Sequence, residues 1–242
     1  REPNDIRSYA ALACIAIQAN QNEMHGGQSV PNFDYSMAPG VTKTFRKQYF
    51  EQLSAFFRAA LGLSLSDAQL LSKEIQRMIP QDITLQTTDA FRAALIEFLP
   101  EHQAMHSFQP ISANQAARAH DYAAEAAIDA TDRATYQAME AFIHNLNTMN
   151  SRAGAQVPFS SVNYGTDTSP EARMVMRNLL KATMAGLGNG ETPIFPVQIF
   201  KVKEGVNYNP GDPNYDLFQL AIKTSAKRLF PNFSFLDAPF NL

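Results

Sequence analysis

The sequence predicts an α/β chain, mostly helical over its first two-thirds and β-α-β-α-β over its last third. Three observations carry this. Several early segments repeat apolar residues at helical spacing. A long Ala-rich stretch, residues 112–149, keeps that spacing without a Gly. After residue 156, short β-branched and aromatic runs alternate with a well-capped helix and a second helix, the pattern of parallel strands joined by crossover helices.

The elements follow in order. Ser8–Gln21 (SYAALACIAIQANQ) is apolar on most faces and reads as a buried helix capped by Asp5. The glycines of His25-Gly26-Gly27-Gln28 end it. Thr42–Leu61 forms a second helix, with Phe45, Tyr49, Leu53, Phe56 and Phe57 near helical spacing. Ser66–Ile79, capped by Ser66 or Asp67 and stopped by Pro80, is the third, and Thr88–Phe98, stopped by Pro100, is the fourth. Ser112–Met149 is helical with a break near Asp129–Asp132, and Gly154 stops it. Val157–Asn163 is the first strand. Thr168-Ser169-Pro170-Glu171 opens a helix running to Ala185. Ile194–Val202 is the next strand, Tyr215–Leu229 the last helix and Phe233–Leu236 the last strand. No repeat or linker interrupts the chain, so residues 1–242 read as a single unit, with long helices over 112–150 and a parallel-strand region over 155–242.

Composition excludes several functions. A net charge of −3 gives no basic footprint for nucleic acid and no polybasic membrane patch. No apolar run reaches the length of a membrane-spanning helix. One cysteine rules out an internal disulfide framework and fits a reducing cytoplasm. The chain starts Arg1-Glu2-Pro3 without an initiator Met and ends in a strand-like run and its loop, so an excerpt of a longer protein is expected.

The candidate chemistry is polar and neutral. Residues 145–196 gather Asn, Ser, Thr, Gln, Arg and Gly in the turns around a strand and a helix, with few carboxylates. The strand Val157–Asn163 runs into Tyr164-Gly165-Thr166-Asp167, where α/β proteins place ligands. Thr168 or Ser169 is either a plain cap or part of an anion site at the helix start. His25-Gly26-Gly27-Gln28 is either a helix stop or a close backbone approach to a ligand. Arg152 would clamp a phosphate or compensate a helix dipole. Gly186–Gly190 follows a helix and precedes a strand, the wrong order for a dinucleotide loop. Cys14 lies among apolar residues and reads as buried and inert. His102 and His106 lack the further ligands of a zinc site.

Several blocks carry a resemblance. They are residues 18–29 (QANQNEMHGGQS), 31–35 (PNFDY), 151–161 (SRAGAQVPFSS), 163–168 (NYGTDT), 188–196 (GNGETPIFP) and 228–233 (RLFPNF). In this order they resemble the anaerobic (class III) ribonucleoside-triphosphate reductases; residues 63–149 carry less of the likeness. The resemblance implies an interior piece of a ten-stranded α/β barrel. The enzyme it belongs to makes deoxyribonucleotides by glycyl and thiyl radical chemistry, with formate as reductant. It implies a cytoplasmic homodimer with ribonucleoside triphosphate substrates, deoxynucleoside triphosphate and ATP effectors, and a radical-SAM activating enzyme. The early-strand cysteine would fall before Arg1 and the central-loop cysteine after Leu242. No catalytic residue and no metal ligand is therefore expected here, and the glycyl radical and structural zinc belong elsewhere. The implied substrate residues are His25, Gly26, Gly27, Gln28, Ser160, Ser161, Asn163 and Thr166. Asn147, Asn150, Arg152 and Gln156 form the implied effector region. A pyruvate formate-lyase relative and a non-enzymatic helical interaction module are the alternatives.

Overall fold

The computed structural model describes residues 2–24, 26–102, 109–150 and 156–241. His25, His106, Arg152 and Gly154 lie outside the described residues. In chain order the elements are α1 (Ile6–Glu23), β1 (Gln28–Val30), α2 (Phe33–Leu61), α3 (Leu65–Met78), α4 (Thr88–Glu101), α5 (Ala113–Thr148), β2 (Ser160–Tyr164), α6 (Pro170–Ala185), β3 (Val197–Val202), α7 (Tyr215–Arg228) and β4 (Asn232–Phe235). Contacts divide them into two compact units, one of residues 1–41 and 132–242, the other of residues 42–131. No linker separates the units, because α2 and α5 each cross the boundary within one helix. Among the described residues no helix is long and apolar enough to cross a membrane.

The larger unit holds a four-stranded parallel sheet in the order β1-β2-β3-β4. The strand-helix alternation of the last third is as the sequence predicts. β1 is a correction: the first strand is Gln28–Val30, not the run after residue 156. Three residues between Gly26-Gly27 and Pro31 show no strand period, and only pairing with β2, Gln28 opposite Ser160, makes them a strand. β2 begins at Ser160, β3 begins at Val197 after the cis Phe195–Pro196 bond, and β4 covers Asn232–Phe235, each offset by a few residues from expectation.

One face of the sheet is the core. Val162, Tyr164, Phe200 and Val202 are buried. Phe200 stacks on Phe218 of α7, and the buried Gln198 amide donates to Thr183 of α6 while accepting from the Tyr164 hydroxyl. Helix α6 starts at a Ser169 cap with Pro170 in its first turn. At its other end the Arg228 guanidinium donates to the carbonyls of Met184, Ala185 and Gly190, satisfying acceptors that the helix itself leaves open.

Three helices differ from expectation. Helix α2 begins at Phe33 and passes through Pro39 and Gly40. Gly40 is demanded by packing: a Cβ there would lie 3.0 Å from the Ile6 backbone and the Tyr9 ring of α1. Helix α4 absorbs Pro100 in its last turn. Helix α5 runs 36 residues without the break expected near Asp129–Asp132. There the Thr131 hydroxyl donates back to the Ala127 carbonyl one turn earlier, a bond that a continuous helix accommodates, and the Asp132 carboxylate accepts from Asn178.

The smaller unit is helical. Its α3 is capped by Ser64, two residues before the expected cap. Phe45, Tyr49, Leu53 and Phe57 of α2 pack with Leu71 and Ile75 of α3, Phe91, Leu95 and Leu99 of α4, and an alanine seam of α5, Ala116, Ala119, Ala123 and Ala127. The alanines let backbone approach the aromatic cluster, where Tyr49 meets Phe50 and Phe91 edge-on at 5.2 and 5.5 Å. His120 sits buried in this cluster with Nδ1 2.9 Å from the Tyr49 hydroxyl. Arg92 grips Asp121 beside it through two hydrogen bonds.

His120 gives this unit an acid-sensitive step. Burial is the main cause that lowers its pKa to about 4; the Asp121 charge opposes this and the Arg92 charge adds to it. Neutral imidazole therefore belongs to the fold, while the unfolded chain takes a proton near pH 6.5. Stability is complete above about pH 6.5 and falls as the pH drops toward 4, by at most about 3 kcal/mol. Thermal melts from pH 7 to 4 check this: His120→Gln should flatten the profile over that window.

Candidate functional site

Strand register sorts the polar residues by face. Ser161 stands opposite Ser29 and Val197, Asn163 opposite Ile199, Ile199 opposite Asn232, and Lys201 opposite Ser234. These positions share the sheet face away from α6 and α7, and all are half-buried or exposed. Ser160, Val162 and Tyr164 alternate to the helix-covered face and are buried. The outer face thus mixes neutral hydrogen-bonding groups with the apolar Val197 and Ile199 and one cation, Lys201. The Asn163 Oδ1 atom is buried and has no hydrogen-bond partner among the described residues.

Lys201 is the single Lys, Arg, Asp or Glu in the four strands. Its Nζ donates to the Pro31 carbonyl at 2.6 Å and to Asn32 Oδ1 at 2.7 Å, both beyond the end of β1. It crosses β2 at the level of Gly165. Gly165 has φ +134°, and a Cβ there would meet the Lys201 carbonyl at 2.6 Å.

The carboxyl ends of the strands are closed by the protein itself. The Asp34 carboxylate accepts from the backbone N–H groups of Gly165, Thr166 and Asp167. Asn207 and Asn214 donate to the Gly165 carbonyl, and Asn214 also to that of Asp167. Arg173 of α6 fixes Asn214 at 2.8 Å and pairs with Asp216 at 2.7 Å. Burial raises the Asp216 pKa, but the bond and charge of Arg173 outweigh it and the net shift is downward. Tyr164, under this cluster, is held protonated by burial and then by the Asp34 charge.

A family model of the anaerobic ribonucleoside-triphosphate reductases matches residues 1–242. The chain belongs to that family. It is 42% identical over 103 residues to the anaerobic ribonucleoside-triphosphate reductase of Enterobacteria phage T4, covering 42% of this chain and 17% of that relative. The enzymes of the same name from Haemophilus influenzae and Escherichia coli K12 are 38% identical over 102 residues and 37% over 103, again 42% of this chain and 14% of each relative. The matched stretch is therefore a small part of the curated relatives' own length. Family membership displaces the readings as a pyruvate formate-lyase relative or a helical interaction module.

Within this reductase chain the implied substrate residues divide. Ser161 and Asn163 lie on the outer sheet face, and Thr166 sits in the turn held by Asp34. Ser160 faces the helices, with its buried Oγ lacking a partner among the described residues. Gln28 is opposite Ser160 and lines a groove of about 330 Å³ with Leu12, Ala16 and Asn20 of α1. Gly27 is explained by packing, since a Cβ would lie 2.8 Å from the Phe159 ring, whereas Gly26, at φ +100°, faces open space.

The implied effector residues follow the end of α5. Asn147 is consumed by the backbone: its Nδ2 donates to Ile143 at 2.7 Å and also to Phe195, and its Oδ1 accepts from Ile194 and Phe195. Asn150 and Gln156 are exposed. A neighbouring cavity of about 500 Å³ is lined by Glu140, His144 and Asn145 of α5 and by Gly186, Gly188 and Gly190 beyond α6. Sequence reasoning passed over Asp34, Lys201, Asn207 and Asn214. The PNFDY block held the only signal, a carboxylate two residues after a strand-end Pro-Asn.

Gly26 and Gly165, both at positive φ, should behave differently. Gly26→Ala should cost about 1 kcal/mol, the strain of placing a side chain at positive φ in open space. Gly165→Ala adds a backbone clash and should abolish cooperative melting of the larger unit; calorimetry of both variants checks the order.

Proposed function

We propose that this chain is an interior part of the catalytic barrel of an anaerobic ribonucleoside-triphosphate reductase, and that the outer face of its sheet looks onto the substrate. In such an enzyme the ribose 2′-hydroxyl leaves as water while formate is oxidised to carbon dioxide, so the reducing electrons come from formate. The four parallel strands would be consecutive staves of the ten-stranded barrel. The observation that carries the reading is Asn163, whose buried amide oxygen has no partner among the described residues, on a face that also carries Ser29, Ser161 and Asn232. An orphaned buried acceptor costs about 1–3 kcal/mol unless something donates to it, and a ribose hydroxyl has the right chemistry.

The neutral face suits radical chemistry. Ser161, Asn163 and Thr166 orient hydroxyl groups without competing as acids or bases. A carboxylate at these positions would deprotonate or repel a nucleotide. The glycyl radical supplies hydrogen-atom abstraction from elsewhere in the polypeptide, and no residue of this chain is assigned to that step. Among the described residues no group of three His, Cys, Asp or Glu gathers to hold a metal, and the zinc of the reading is assigned outside this chain. Cys14 is unsuited to radical or nucleophilic work: it is buried, its Sγ faces the Phe142 carbonyl, and burial pushes its pKa to about 12.

Effector binding by deoxynucleoside triphosphates and ATP is assigned to the region after α5, with a homodimer and a radical-SAM activating enzyme as partners in the cytoplasm. Asn150, Arg152 and Gln156 remain its candidate contacts. The committed position of Asn147 in its structural bonds makes it a support for Ile194 and Phe195.

In the full-length activated enzyme, Asn163→Ala should lower turnover at least tenfold while the melting temperature stays within a few degrees. Turnover equal to wild type removes Asn163 from the substrate site. Melting this chain against each deoxynucleoside triphosphate tests the effector assignment: at about 100 times the dissociation constant, a bound nucleotide adds about 2.7 kcal/mol.

A further inference from the structure

The turn after β2 lies where an α/β protein commonly binds an anion. Its three consecutive N–H groups, Gly165, Thr166 and Asp167, point at one place. That place is already filled. Asp34 Oδ2 takes all three at 2.9, 3.1 and 3.1 Å, and Oδ1 takes the Tyr35 N–H at 3.1 Å. The side chain is 1% exposed, and among the described residues no Lys or Arg forms an ion pair with it. Its charge is balanced by backbone dipoles alone.

The adjoining helix start is closed in the same way. Asp167 Oδ1 accepts from the Ser169 N–H and Ser169 Oγ from the Ala172 N–H. The carbonyls of the turn are held from the opposite side by Asn207 and Asn214. The three N–H groups of Gly165–Asp167 and the carbonyls of Gly165 and Asp167 are thus matched within the protein. A nucleotide phosphate arriving here would find few free donors and a fixed negative charge, which repels it.

We infer that Asp34 is a positioning residue for substrate binding: a built-in anion that fixes the β2–α6 turn, and through it Asn163 and Thr166, and excludes the substrate's phosphates from that helix start. The inference rests on reading the outer sheet face as the substrate face. It follows that the polyphosphate tail lies away from the β2 end, with the ribose over Asn163. Asp34 sits on α2 and its partners on the far side of α5 in sequence, so one carboxylate ties the entry of α2 to the entry of α6.

The test uses the full-length activated reductase with CTP as substrate. Asp34→Asn keeps the shape and loses the charge; it should raise KM for CTP five- to tenfold with kcat within threefold. Asp34→Gly empties the nest and should raise KM further. Sodium acetate, whose methyl and carboxylate replace the missing side chain, should restore KM saturably in Asp34→Gly, with no effect on wild type or Asp34→Asn. Neutral acetamide should not restore it. A wild-type KM for Asp34→Asn, or restoration by acetamide equal to that by acetate, overturns the proposal. Where Asp34→Gly does not fold, the KM of Asp34→Asn decides alone. Asn163→Ala with wild-type turnover, together with an acetate-dependent rise in the melting temperature of Asp34→Gly, overturns the substrate-face reading and leaves Asp34 as the anion of the turn.

Discussion

The register between β1 and β2 is the constraint on which the rest of the larger unit depends. Gln28 opposite Ser160 places Ser29, Ser161 and Asn163 on one face and Ser160, Val162 and Tyr164 on the other. Side chains alternate with a period of two, so a slip of one residue would expose Tyr164 and bury Asn163. The bonds that resist the slip lie mostly beyond the strand ends. Lys201 reaches from β3 to Pro31 and Asn32, and Asp34 reaches from α2 to the end of β2. Short strands of three to six residues are thus held by long-range polar ties at one end and by apolar packing on one face.

What was legible in the sequence was local. Asp5, Ser169 and Pro170 announce their helices because a cap acts within three residues. The strands after residue 156 show because a buried parallel strand needs β-branched and aromatic residues. What stayed hidden was non-local. β1 has no period of its own and exists through pairing with a segment more than a hundred residues away. The break expected at Asp129–Asp132 is a rule of isolated helices, and packing overrode it: Asp132 finds Asn178. The second helix is expected only from Thr42, but it starts at Phe33, where Gly40 seats α1. The candidate site was half legible. Its residue types pointed to a polar ligand, but the face on which each falls is a property of register.

Polar residues in turns are a poor guide to ligands until their own hydrogen bonds are counted. Asn147, Asn207 and Asn214 look alike in the sequence to Asn163. The first three spend their amides largely on loop backbone, that of Ile194 and Phe195, of Lys203, and of Gly165 and Asp167, where buried peptide groups must still be satisfied. Each replaces a missing ladder bond and so fixes a loop. Asn163 lies within a strand whose backbone is already paired, so its side chain is surplus to the fold. That distinction, and not residue type, separates a scaffold amide from a candidate ligand contact.

The same accounting explains why the chain can present a neutral face at all. A sheet face meant for a nucleotide must not carry stray charge, yet the strand ends gather backbone dipoles that attract ions. Asp34 satisfies those dipoles on the buried side, under Tyr164, and Lys201 is drawn to carbonyl and amide oxygens at the rim. Each charge of the cluster is held by groups of the main chain or by a neutral amide. The outer face between them carries Ser29, Ser161, Asn163 and Asn232 beside the apolar Val197 and Ile199, and none of these side chains is charged. Charge held at the strand ends and neutrality along the strands are one arrangement, and it fits the substrate face proposed above.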